Sequence, residues 1–185
     1  MFEDFEIKDI DTSGARIHLR HGGNVDGPPL LLLHGNPMTH VSWHLIAAKL
    51  AKDYHVVAAD LRGYGDSTAP EPAEDYSNYS FRAMGQDMIE VMESLGHKEF
   101  LLAGHDRGAR TAHRMALDHP DRIQKIAMLD ILPSHHVWAN ADAEWAKKSW
   151  HWVFQIQPAP FPEEMMSAVP PEWYMEKKLS KPGIG

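Results

Sequence analysis

One stretch of this chain has the residue types and spacing for nucleophilic chemistry: Gly104-His105-Asp106-Arg107-Gly108-Ala109-Arg110. An apolar run, Phe100-Leu101-Leu102-Ala103, precedes it, and a helical pattern through Ala112, Met115 and Ala116 follows until Pro120 stops it. The order is strand, sharp turn, helix. Small residues on both sides of the turn let strand and helix pack closely around a strained central residue, the position at which such turns present a nucleophile. Here the central residue is Asp106. No Gly-x-Ser-x-Gly occurs in the chain, so a serine esterase mechanism has no nucleophile. A carboxylate is ionised at neutral pH and needs no base to activate it.

The elements that must position this turn can be read from hydrophobic patterning. In 6–21, Ala15, Ile17 and Leu19 alternate with Arg16, His18 and Arg20, which predicts a half-exposed strand in a hairpin. The apolar run 30–33 ends at His34-Gly35-Asn36-Pro37, the mark of a strand buried on both faces and followed by a loop. A helix is expected around 43–50, a second buried strand over 55–60, and a loop through Leu61-Arg62-Gly63-Tyr64-Gly65-Asp66-Ser67-Thr68. Apolar residues at 81, 84, 88, 89, 92 and 95 have helical spacing, with Ser80 and Gly96 as the caps. A further strand, roughly 126–129, leads to Asp130.

Strands alternating with helices predict a mostly parallel sheet with helices on both faces, and functional residues gather at the carboxyl ends of such strands. His34-Gly35-Asn36, Asp106 and Asp130 all fall at those ends. From about Leu132 the composition changes: Trp138, Trp145, Trp150, Trp152 and Trp173 come with interleaved Met and Pro and no obvious strand. The expected division is a sheet core over 1–131 and the start of a helical cap over 132–185, with most of these aromatics as the core of the cap.

Composition excludes several classes. With 185 residues and 43% hydrophobic content the chain can bury a sizeable core. No run approaches the ~18 apolar residues of a membrane span, and the acidic start lacks the regions of a signal peptide, so the cytoplasm is the expected location. The absence of cysteine rules out disulfides and thiolate zinc sites. A formal charge of −8 disfavours nucleic acid as a partner. A small anionic substrate remains compatible, because it responds to charges within a Debye length of ~8 Å. The thirteen histidines lack metal-ligand spacing, and Gly63-Tyr64-Gly65 reads as a turn and not as part of a dinucleotide fingerprint, so neither metal nor cofactor is expected.

Taken together, His34-Gly35-Asn36-Pro37, the Asp106 turn and Asp130 resemble the fluoroacetate and haloacetate dehalogenases of the α/β-hydrolase superfamily, and the resemblance runs through nearly the whole chain. Asp followed at once by Arg, with Arg110 three residues later, marks the haloacetate branch; haloalkane dehalogenases and epoxide hydrolases typically carry Trp after the aspartate. The resemblance implies an α/β-hydrolase fold, a haloacetate as substrate and an aspartyl-ester intermediate on Asp106. It makes Asp130 the acid that orients a catalytic histidine, and the backbone N–H groups of Asn36 and Arg107 the oxyanion donors. Members often carry Phe where this chain has Asn36, a difference a main-chain donor tolerates.

Arg107 and Arg110 lie on one face of the turn helix and can share the substrate carboxylate; surface ion pairing is the alternative. His151 and Trp152 match a pair that lines the halide pocket in these enzymes, with cap packing as the alternative. A buried strand-end Asp130 could also simply cap a loop. Homodimers are usual in the family. The catalytic histidine and a halide-binding tyrosine belong after the cap, so they are expected beyond Gly185, and the chain reads as the N-terminal part of a longer enzyme with an exposed sheet edge prone to aggregation. Two further readings stay open: an epoxide hydrolase or a dehalogenase of uncharged substrates, and a non-catalytic relative that binds a small carboxylate.

Overall fold

The structure, a computed structural model, describes residues 1–179; the end of the expected cap segment, 180–185, lies outside the described residues. The chain divides into two compact units, Met1–Pro133 and one beginning at Ser134.

The first unit is built on a six-stranded sheet: β1 (Glu6–Asp11), β2 (Arg16–Gly23), β3 (Pro29–Leu33), β4 (His55–Ala59), β5 (Phe100–His105) and β6 (Ile123–Leu129), in the order β1-β2-β4-β3-β5-β6. β1 and β2 form the expected antiparallel hairpin and β2 meets β4 antiparallel, whereas β4, β3, β5 and β6 run parallel. The alternation in β2 puts Ile17 and Leu19 wholly inside.

The continuous apolar runs are explained by two cores. Leu31, Leu33, Val57 and Ala59 face Met84, Met88 and Met92 of α2 (Phe81–Ser94) and Ala112 and Met115 of α3 (Arg107–Asp118). Leu30, Leu32, Val56 and Ala58 face the opposite side, with Ala47 of α1 (His44–Leu50) and Trp43, which ends a 3-10 turn His40–Trp43. β3 and β4 are therefore buried on both faces, and each leucine so placed contributes about 1.5–3 kcal/mol relative to exposure. The Ser80 hydroxyl accepts from Ala83 N–H at 3.2 Å to start α2, and beyond its end Gly96 takes φ +86 while His97 N–H donates to Met92 C=O.

β6 begins earlier than its apolar residues suggest, because Gln124 and Lys125 interrupt the pattern without breaking the ladder to β5. Among the described residues it is an edge strand, with Ile126 39% and Leu129 40% exposed. Asp130, which follows it, is exposed among the described residues.

Among the described residues the second unit is helical: α4 (Ser134–Ala139), α5 (Ala143–Lys148), α6 (Trp150–Gln155), α7 (Phe161–Ser167) and α8 (Pro171–Leu179). Its aromatics pack on one another. Trp138, Trp145 and Trp152 form a triangle with ring centroids 5.5, 5.6 and 5.7 Å apart, and Trp150 contacts His151, Phe154 and Tyr174. No described helix is long and apolar enough to cross a membrane.

Candidate active site

The turn between β5 and α3 adopts the strained geometry that its sequence predicts. Asp106 has φ 49 and ψ −116, a region unfavourable to a residue with a Cβ. The flanking glycines are dictated by contact: a Cβ at Gly104 would lie 2.6 Å from Ala109 N, and one at Gly108 would overlap the carbonyl oxygens of Leu33 and His34. The β3 loop comes equally close from the other side, since a Cβ at Gly35 would lie 2.5 Å from Asp106 Cβ. That approach brings the Asn36 N–H to Asp106 Oδ1 at 2.9 Å. Oδ2 accepts no hydrogen bond among the described residues.

The expected second oxyanion donor, the Arg107 N–H, is at the first position of α3 and makes no hydrogen bond to Asp106. The N–H groups of a first turn have no intrahelical acceptor, and α3 has no side-chain cap, so this end of the helix is open to an anion. Arg107 stacks its guanidinium over Phe81, 5.1 Å from the ring centroid, and its Nε is buried without a hydrogen-bond partner. Arg110, one turn on, is 6% exposed. Burial lowers its pKa from the ordinary value, with Asp106 opposing that shift and Arg107 adding to it, so these three charges sense one another.

Asp130 reaches the same end of the sheet. β5 and β6 are in register through His105 and Leu129, so Asp106 and Asp130 each follow directly on adjacent strands, and Asp130 also has a positive φ of 49. His151 and Trp152 belong to the second unit and are described there alone.

Further residues around the turn have partners that the sequence reading left unassigned. The Tyr64 hydroxyl donates to Asn36 Oδ1 at 3.1 Å, and burial raises the phenol pKa from its ordinary value, with Arg107 and Asp106 as weaker, opposing influences. His34 is fully buried: Leu61 N–H donates to its Nε2 at 3.1 Å, which fixes the hydrogen on Nδ1, facing Gly35 C=O at 2.9 Å. Burial lowers the pKa of this imidazole. Asp60 lies under the same loop and gathers His40 and Asp66. The available signal for Tyr64 was its place between two glycines of a tight turn. Among the described residues no cluster suits a metal ion.

Comparison with known proteins agrees with this geometry. Residues 28–169 match the family model described as the alpha/beta hydrolase fold. A fluoroacetate dehalogenase from Burkholderia sp is 49% identical over 174 residues, which are 94% of this chain and 57% of that protein. Human epoxide hydrolase 4 is 34% identical over 162 residues, 85% of this chain and 43% of that protein. A crystal structure of an α/β hydrolase from Nostoc sp PCC 7120 superposes with a TM-score of 0.90 at 52% identity, covering 96% of this chain and 60% of that one. The chain thus spans about half the length of the curated relatives it matches. With its parallel sheet, its strained strand-to-helix turn and a family match over most of its length, the chain belongs to the α/β-hydrolase fold family.

Proposed function

We propose that the protein carries the nucleophilic half of a haloacetate dehalogenase site, with a small 2-halocarboxylate as substrate. The observation that carries this reading is Arg107: a guanidinium directly after the nucleophile, with a buried Nε–H that has no partner, beside a second buried arginine. The similarity to fluoroacetate dehalogenase supports it. A carboxylate nucleophile approaching a carbon that bears another carboxylate is opposed by like-charge repulsion, and two guanidiniums offset it, each charged hydrogen bond contributing about 1.5–3 kcal/mol.

The steps follow from the hydrogen bonds at Asp106. Oδ2 attacks the halogen-bearing carbon; the new C–O bond forms as the C–X bond breaks and halide leaves with the electron pair. His151 and Trp152 are proposed, by resemblance, to donate ring N–H groups to that halide. Water then attacks Cγ of Asp106, a general base takes its proton, and Oδ1 becomes the oxyanion. Oδ1 is already seated on the Asn36 N–H, so charge develops where a donor stands and no reorganisation is required. Collapse expels glycolate and restores the carboxylate. Asp130 is proposed to orient the base.

The competing reading draws on the epoxide hydrolase similarity, in which the same carboxylate would open a neutral ring. Steady-state or single-turnover halide release by Arg107→Ala separates the two. Loss of reaction with a haloacetate supports the carboxylate reading, and retained activity on haloacetates or neutral epoxides overturns it.

A further inference from the structure

The hydrogen bonds of Asp60 reach further than its own strand end. This carboxylate is completely buried just after β4, and it is not in the catalytic constellation. Its Oδ1 accepts twice from one residue, from the His40 main-chain N–H at 2.6 Å and from His40 Nδ1–H at 3.0 Å. Its Oδ2 accepts from the Asp66 N–H at 3.1 Å. Gly65 is pressed against the same carboxylate, since a Cβ there would overlap it, and the Ser67 hydroxyl donates to the Asp60 carbonyl at 2.8 Å.

Those contacts belong to two different loops. The first, 34–40, carries the Asn36 N–H that holds Asp106 Oδ1. The second, 61–67, carries Tyr64, whose hydroxyl holds the Asn36 side chain. The carboxylate therefore joins the loop with the oxyanion donor to the loop that clamps that donor's residue. His40 supplies the link with one side of its ring; its Nε2 is buried and takes no hydrogen bond. Phe2 and His18 cover the ring, with centroids 5.6 and 5.4 Å away, so it has little freedom to turn.

We propose that Asp60 is a positioning residue for the reaction at Asp106: by holding His40 and the Gly65-Asp66 turn together it fixes where the Asn36 N–H and the Tyr64 hydroxyl stand. This rests on the proposed function for its kinetic consequence, though not for its geometry. Burial of Asp60 works against the charged form, but the hydrogen bonds from the His40 ring, the His40 N–H and the Asp66 N–H outweigh it and keep the carboxyl below its ordinary pKa. A buried carboxylate with this many donors is held in one orientation.

The test compares His40→Asn, whose amide nitrogen can take the place of Nδ1, with His40→Ala, which cannot donate, and adds Asp60→Asn. Two quantities are read in each background. One is the rate at which chloroacetate adds a carboxymethyl group to Asp106, resolved into a maximal rate and a half-saturating concentration. The other is the chemical-shift difference at the Asn36 amide between each protein and its Asp106→Ala counterpart, which reports the N–H to Oδ1 hydrogen bond without any reaction. His40→Ala and Asp60→Asn should lose on the order of tenfold to a hundredfold in maximal rate, with half-saturation little changed, and the Asn36 shift difference should collapse. His40→Asn should restore both. Equal losses in His40→Asn and His40→Ala, or an Asn36 shift difference that survives in His40→Ala and Asp60→Asn, would overturn the proposal. If the parent chain takes up no carboxymethyl group, the reaction assigned to Asp106 fails, while the amide comparison still decides the role of Asp60.

Discussion

The main-chain N–H of Asn36 donates to Oδ1 of Asp106 at 2.9 Å, joining the loop after β3 to the turn after β5 across 70 positions of sequence. In the proposed reaction this bond gives the two oxygens of one carboxylate different tasks: Oδ1 is held and Oδ2 attacks. Where a general base reopens the ester, single-turnover reaction with a haloacetate in heavy-oxygen water should leave the label in Asp106 and none in the released glycolate, because in the proposed mechanism water attacks Cγ and not the substrate carbon. Label in the first glycolate released would mean direct displacement by water.

The backbone at Asp106 is strained, and the strain can be measured by comparing two variants that both lack the carboxylate. Alanine keeps a Cβ at φ 49, whereas glycine adopts this conformation without penalty. Asp106→Gly should therefore be more stable than Asp106→Ala by about 1–3 kcal/mol in urea unfolding. Equal midpoints would show that the turn relaxes when the side chain is removed.

The glycine after the nucleophile is fixed by a different cause. A methyl group at Gly108 meets the carbonyl oxygens of Leu33 and His34, which belong to β3 and its end and cannot move aside without disturbing the sheet. Gly108→Ala should cost about 1–3 kcal/mol of stability and also weaken alkylation of Asp106. A variant with unchanged stability would contradict the close approach of α3 to β3.

Acid should weaken the fold in the range where histidines titrate. Burial lowers the pKa of His34, His21, His55 and His97 below the ordinary 6.5, with charge from neighbouring histidines adding to the effect at His55 and His97. The unfolded chain then binds protons near pH 6.5 that the folded chain does not, so stability falls as pH drops through that value toward the folded pKa values. Asp60, with its lowered pKa, extends the loss to lower pH, because its contribution is present above the unfolded carboxylate pKa and disappears as it protonates. Urea midpoints should decrease between about pH 7.5 and about pH 5.5; a flat or rising profile would contradict these assignments.

How much was legible in the sequence depended on whether the cause was local. The strands carrying Leu31 and Val57 were readable because burial on both faces makes every residue apolar, and α2 was readable because one buried stripe repeats along it. The turn at Asp106 was readable from its glycine spacing, although only Gly104 answers to contacts within a few residues, with Gly108 and Ala109, while Gly108 answers to Leu33 and His34 across the sheet. Asp60, His40 and Tyr64 were not, since their bonds join loops separated by β4 and α1, and no spacing rule encodes such a meeting. For His151 and Trp152 the residue types suggested halide donors, and within the second unit their rings contact those of Trp150, Trp138 and Trp145.

The most direct test of the central claim is intact and peptide mass spectrometry after exposure to chloroacetate. Asp106 should gain one carboxymethyl group or, where a general base reopens the ester, release one glycolate per halide. Arg107→Ala should lower the rate by about tenfold to a hundredfold, as loss of a charged hydrogen bond of about 1.5–3 kcal/mol implies. An unmodified Asp106 with no halide released, or a rate indifferent to Arg107, would contradict the assignment of this site to small halocarboxylates.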